Sequence, residues 1–194
     1  MPVPSFNGDG VIPPYIGPQG PGGAPNDMSP YFASCVEVVQ ALGTTPQRNA
    51  ILKGWLDHRA ALRAAGFLVG RQWLDGSFVE NKVPNDLDLV TIIRRPAAFK
   101  ADPQAFIQTH GHLTNHGHVK QTFRLDLFLV DLDGDPDIIV NLVRYYFGLF
   151  SHRRSDDLWK GLLEVNLVDN TEGAAMAAVV GAMAAPQALV GGGP

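Results

Sequence analysis

Two aspartates one residue apart, Asp86 and Asp88, stand in the run NDLDLV, and a Gly76-Ser77 step precedes them across an eight-residue spacer. Side chains alternate along an extended chain, so Asp86 and Asp88 share one face while Leu87 and Leu89 take the other. Carboxylates held that close repel by several kcal/mol at low dielectric unless a cation lies between them. A divalent ion, Mg²⁺ or Mn²⁺, fits the need: Mg²⁺ prefers hard oxygen ligands and is commonly held by one or two carboxylates plus substrate phosphates. Gly76 lets the backbone approach an anion, and the amides there and the Ser77 hydroxyl can donate to phosphate oxygens. A third carboxylate, Asp126 in TFRLDLFLVDLD, is flanked by Leu125 and Leu127, where an unpaired charge is costly and a partner is expected. Late in the chain His152, Arg153, Arg154 and Lys160 form a basic cluster, with Lys160 before Gly161 the candidate phosphate ligand.

Each feature has a plainer explanation. Asp86 can be a turn residue after Pro84-Asn85 and Asp88 merely exposed; the basic cluster can be a solvated face. The histidines of HGHLTNHGH, at 110, 112, 116 and 118, have spacing that permits a zinc site, but no Cys or carboxylate lies in the segment and Gly111, Asn115 and Gly117 favour a mobile polar hairpin; in the minor case that such a loop lies near an active site, one His can contact the base or acceptor. Asp131 and Asp133 read as solvated loop carboxylates, Trp55 and Trp73 as core, and Cys35 as inert packing. A metal-free glycosidase pair is disfavoured, because such carboxyls face each other across a cleft about 5 Å or more apart.

The elements that must position these residues form an α/β (α+β) pattern, a small mixed sheet packed with helices. At 194 residues the chain has room for one domain with a real core. Its 45% hydrophobic and 18% charged content excludes a disordered chain and a disulfide scaffold, and the net charge of -4 argues against a general nucleic-acid coat. Residues 1–29 are dense in Pro and Gly but carry Phe6, Val11, Ile12, Tyr15 and Ile16, so they read as an arm lying over the domain. A helix is expected over 30–42. Another runs from a Thr45-Pro46 cap to Gly66, with Ile51, Leu52, Trp55, Leu56 and Leu62 on one side and Arg48, Lys53, Asp57, Arg59 and Arg63 mostly on the other. Strands follow over 67–74, 87–93 and 123–131, with a short helix capped by Asp102-Pro103 between the last two. Ile138, Ile139, Leu142, Val143, Tyr146, Phe147 and Phe150 make a helical stripe, and 162–168 a last strand. The domain is expected over 30–170 and a flexible Ala/Gly-rich tail over 171–194. Within that tail GAAMAAVVGAMAAPQALV is too poor in large apolar residues, and too interrupted by Pro186-Gln187, to span a membrane; it reads as a weakly packed helix and a disordered end. With one cysteine and no opening signal segment, a cytoplasmic location is expected.

Gly76-Ser77, then Asp86-Leu87-Asp88, then a strand bearing Asp126, together resemble the catalytic pattern of the polymerase-β-like nucleotidyltransferase superfamily. PSFNGDGVIPP, WLDGSF and RYYFGLFSHRRSDDLWKGLLEV extend the resemblance, over most of residues 1–168, to an uncharacterised bacterial branch of it. The resemblance implies that Gly76 and Ser77 grip a triphosphate, that Asp86 and Asp88 bind Mg²⁺, and that Asp126 completes the metal site and helps deprotonate the acceptor. The implied reaction moves an NMP from ATP or another NTP to a hydroxyl of a protein, an RNA or a small molecule, in a toxin-antitoxin or phage-defence setting. The alternative is an inactive module of the same fold that binds a nucleotide or a protein partner. The spacer is shorter than is common in the superfamily, so the loop 78–85 decides whether Ser77 reaches the phosphates.

Overall fold

The Val- and Ile-rich run Leu87–Ile93 forms the strand around which the sheet is built. The structure, a computed structural model, describes residues 3–185. In chain order the elements are β1 (Tyr31–Phe32), α1 (Cys35–Leu42), α2 (Pro46–Ala64), β2 (Gly70–Asp75), β3 (Leu87–Ile93), α3 (Ala97–Ala101), α4 (Pro103–His110), α5 (His116–Phe123), β4 (Leu125–Asp131), α6 (Pro136–Phe150), β5 (His152–Arg153), β6 (Leu158–Trp159), β7 (Leu163–Asn166) and α7 (Glu172–Ala184). Five strands form one mixed sheet in the order β1-β7-β2-β3-β4, and β5 with β6 forms a separate hairpin. β2 is antiparallel to both neighbours, while β3 and β4 are parallel. The α+β expectation holds.

Strand alternation divides the core. Leu74, Leu87, Leu89, Leu127, Leu163 and Val165 pack against α1, α2 and α7. Trp73, Val90, Ile92 and Val130 face the other way, under α6 through Phe150, Phe147, Tyr146 and Val143. α2 begins at Thr45, whose side chain accepts from Arg48 N at 3.2 Å, and Pro46 occupies its first turn. Gly54 on this helix has no room for a side chain, because a Cβ there would strike the Phe123 carbonyl. The end of α5 is therefore seated on the α2 backbone, which fixes the helix that carries His116 and Lys120.

Several expectations are corrected. Arg48 and Arg59 are not on the solvent side of α2 but are buried. Arg59 is tolerated because its donors reach Glu172 Oε1 (2.5 Å), Gln72 Oε1 (2.8 Å), Asn166 O (2.6 Å) and Leu167 O (3.0 Å). The helix expected from Pro30 starts at Cys35, where Ser34 and Glu37 form a capping box, and the residues before it pair as β1. The histidine segment is helical rather than a hairpin: Asn115 caps α5, its side chain accepting from His118 N at 2.9 Å. The helix expected in the Ala/Gly-rich segment forms as α7, and it is tied to the domain: Ala175 and Val179 are fully buried and Glu172 also pairs with Arg63. Its small residues permit that close approach. Residues 186–194, the expected disordered end, lie outside the described residues.

The arm lies over the domain as expected. Val11 and Ile12 are fully buried; Ile12 N donates to Val79 O (3.3 Å), and Gly161 N donates to Ile12 O (2.7 Å). No helix among the described residues is long and apolar enough to cross a membrane.

Candidate active site

Register lines up three aspartates across three strands. Asp75, the last residue of β2, pairs with Asp88 on β3, and Asp88 pairs with Asp126 on β4. All three lie on the α6 side of the sheet, one row beyond Trp73, Val90 and Phe128, and Asp86 stands one residue before β3 on the same face. The Gly76-Ser77 turn begins where β2 stops. Gly76 has φ +74°, and a Cβ on it would collide with the Asp88 carboxylate. The turn and the second aspartate are thus packed directly on each other, and only glycine fits both demands.

Two buried cations hold the short loop after the turn. Lys160 is 2% exposed, and its ammonium lies 3.0 Å from Gly76 O, 3.2 Å from Glu80 Oε1 and 3.1 Å from Asp75 Oδ1. Two of its N–H groups donate to Gly76 O and Glu80 Oε1, and Asp75 Oδ1 is held by charge alone. Lys160 lines the pocket, as a phosphate ligand must, and at the same time braces the turn through Gly76, Asp75 and Glu80. From the far side Arg48 donates to Phe78 O (2.7 Å), Glu80 O (2.5 Å) and Lys82 O (3.0 Å). Phe78 and Val79 are fully buried, which shortens the exposed part of the loop. With the eight-residue spacer, Ser77 and Asp88 line the same pocket.

A pocket of about 460 Å³ opens at this end of the sheet, lined among others by Asp75, Gly76, Ser77, Asp88, His152 and Arg154. The β5–β6 hairpin and the segment between its strands supply the basic wall. Arg153 is committed to Asp156 (Nε–Oδ1 2.8 Å) and Asp9 O (2.8 Å), while the exposed Arg154 also lines the opening. Burial pushes the Asp88 carboxyl above the usual range, and the charges of Asp86 and Asp126 push the same way; Arg154 and Lys160 oppose them. Burial raises Asp75 to about 7 against the pull of Lys160.

On the other side of Asp88 the carboxylates meet a cation of the chain itself. Lys120 Nζ lies 2.7 Å from Asp126 Oδ2 and 3.3 Å from Asp86 Oδ2. His116 Nε2 lies 3.3 Å from Asp126 Oδ1. Among the described residues no group of three or more His, Cys, Asp or Glu side chains is disposed to hold a metal ion, so Asp86, Asp88 and Asp126 share a face and an end of the sheet without closing on one point. His110, His112 and His118 likewise assemble no zinc site. Asp86 and Asp126 nevertheless have the donor chemistry for a divalent cation, and Lys120 shows that a positive charge belongs between them.

Sequence reasoning passed over Asp75, Glu80, Arg48 and Lys120. Asp75 had a signal, an acid in an apolar strand at even spacing from Trp73. Lys120 had none, because only the seating of α5 on α2 brings it to Asp86. No curated protein and no solved structure matches the chain. A family of unknown function (DUF6932) matches residues 4–166, which carry the arm, the whole five-stranded sheet and every residue of the site, and the chain belongs to that family.

Proposed function

We propose that the protein is a metal-dependent nucleotidyltransferase that moves an NMP from an NTP to a hydroxyl acceptor with release of pyrophosphate. The observation that carries this is the pairing of Asp88 with Asp126 in adjacent parallel strands, with the Gly76-Ser77 turn packed on Asp88. Arg154 and Ser77 line the pocket where phosphates would lie, and Asp86, Asp88 and Asp126 hold Mg²⁺ or Mn²⁺ in this reading. The cation, when bound, neutralises charge on the phosphates and on the attacking oxygen. The acceptor oxygen forms the new bond to the α-phosphorus as the bond to pyrophosphate breaks, and its proton passes to the Asp126 carboxylate. The acceptor is a protein, an RNA or a small molecule; the lone buried Cys35 suits a reducing cytoplasm.

A second reading is favoured by the Lys120 contacts. An ammonium already neutralising Asp86 and Asp126 suits a module of this fold that binds a nucleotide or a protein partner without chemistry. Incubation with α-labelled NTPs, Mg²⁺ or Mn²⁺ and cell lysate separates the two. Label transferred by wild type and lost in Asp86→Ala plus Asp88→Ala supports transfer. Metal-dependent NTP binding that survives the double substitution, without label transfer, supports the module.

A further inference from the structure

On the α2 face of the sheet, at the carboxyl ends of β3 and β4, a second cavity of about 350 Å³ stays open beside a satellite of the core. Phe67, Phe99, Phe106, Ile93 and Leu129 line it. Ile93 and Asp131 are register partners and the last residues of their strands, whereas Asp88 and Asp126 lie near the first residues and on the other face. The cavity is therefore separate from the candidate active site. Packed interiors leave few voids larger than a water molecule, and this space falls at the lower end of small-molecule sites, roughly 300–1,000 Å³. Its walls are apolar: Phe67, Ile93 and Phe106 are buried, and Phe106 meets Phe67 at 5.8 Å and Phe99 at 5.6 Å, edge to face in both cases.

The mouth is charged. Arg95 lines it, with its guanidinium carbon 5.3 Å from the centre of the Phe99 ring. Arg95 Nε donates to Asp131 Oδ2 (2.6 Å) and its backbone N to Asp133 Oδ2 (2.7 Å), which hold the residue in place, while no hydrogen bond among the described residues takes its two terminal nitrogens. Arg94 and Lys100 also pair with Asp133, so three cations of this network meet two carboxylates, an excess of one positive charge. We propose that the cavity binds a small monocarboxylate with a compact apolar body, the body among the phenylalanines and the carboxylate on the terminal nitrogens of Arg95. A planar guanidinium fork matches a carboxylate with two donors, and the single surplus charge matches a monoanion. An apolar enclosure with a few polar groups that fix orientation is the general form of a small-molecule site. This site does not rest on the nucleotidyl-transfer reading and stands if that reading fails.

The test is ¹⁵N-edited NMR of the full chain titrated with phenylacetate and with phenylacetamide, which keeps the ring and loses the charge. Phenylacetate should shift the amides of Ile93, Phe99, Phe106 and Gly111 saturably and leave those of Ser77 and Asp88 in place. It should bind roughly fivefold more tightly than the amide, the worth of one partly exposed ion pair. In Arg95→Gln the two compounds should bind alike; Arg95 is exposed, and circular dichroism checks that the variant folds. Should it not fold, added salt must close the gap between acid and amide in wild type. Absence of saturable shifts at these amides, equal binding of acid and amide by wild type, an acid preference that outlives Arg95→Gln, or one that salt leaves intact overturns the proposal. Shifts at Ser77 and Asp88 instead would put the acid in the other pocket and overturn it equally.

Discussion

The Asp88 carboxylate lies over the backbone of Gly76, in the space that any larger residue at Gly76 would need for its Cβ. The Gly-Ser turn and the aspartate of β3 are therefore one packed unit, although the sequence separates them by a loop. Its coupling is measurable.

Gly76→Ala should destabilise the fold by about 2 kcal/mol or more, since φ is +74° and the new methyl meets Asp88. Adding Asp88→Gly should return part of that loss, because the collision goes while the positive-φ cost stays. Urea unfolding of both singles and the double measures the interaction; strict additivity would show that the two residues are not packed together.

Asp88→Asn should abolish label transfer while raising stability at pH 7. The carboxyl is held above its usual range by burial and by Asp86 and Asp126, so the folded state disfavours its charge. A gain of about 1 kcal/mol would raise Tm by roughly 2–4 °C in a chain of this size. A lower Tm at neutral pH would mean that the charged form is instead stabilised there.

Asp75 sets a pH dependence whose sign is fixed. Its folded pKa, about 7, lies above the ordinary 3.8, so between those values the folded state holds a proton that the unfolded chain has released. Stability from this group is full below about pH 4, falls as pH rises through that window, and is lost above about 7, with a slope of at most about 1.4 kcal/mol per pH unit. Asp75→Asn keeps an acceptor for Lys160 and should remove this slope. Urea midpoints at pH 5, 6, 7 and 8 decide it: curves of wild type and variant that run parallel would contradict a raised Asp75.

Lys160→Met should cost about 3–5 kcal/mol at pH 8, because Asp75 and Glu80 are left buried without their cation. The cost should shrink at pH 5, where Asp75 is protonated. NTP binding then falls as the Gly76-Ser77 turn loosens. A variant of unchanged stability that had lost NTP affinity would make Lys160 a phosphate ligand and not a brace.

Much of the scaffold was legible in the chain because local rules were strong. Val and Ile richness marked β3 to the residue, Thr45-Pro46 and Asp102-Pro103 marked helix starts, and the apolar stripe from Ile138 to Phe150 marked α6. The arm was legible through Val11 and Ile12, apolar anchors in a Pro-rich stretch. Arg48 and Arg59 were misread because helical periodicity assigns a face by residue type, and a guanidinium satisfied by carbonyls can take a core position. The histidine segment was misread because its glycines suggested a turn where Asn115 caps a helix.

The sequence by itself determined which residue types could do chemistry here. Asp86 and Asp88 must share a face because strand periodicity is two, and Gly76-Ser77 must end the preceding strand. Only the tertiary structure decided who stands beside them. Strand register is a long-range choice, and it places Asp75, Asp88 and Asp126 in one row. The packing of α5 on α2 sends Lys120 and His116 to that row, and the crossing of the late segment back under the turn commits Lys160 to Asp75, Glu80 and Gly76. No local pattern carries those pairings, because each joins residues whose proximity follows from the burial of other side chains.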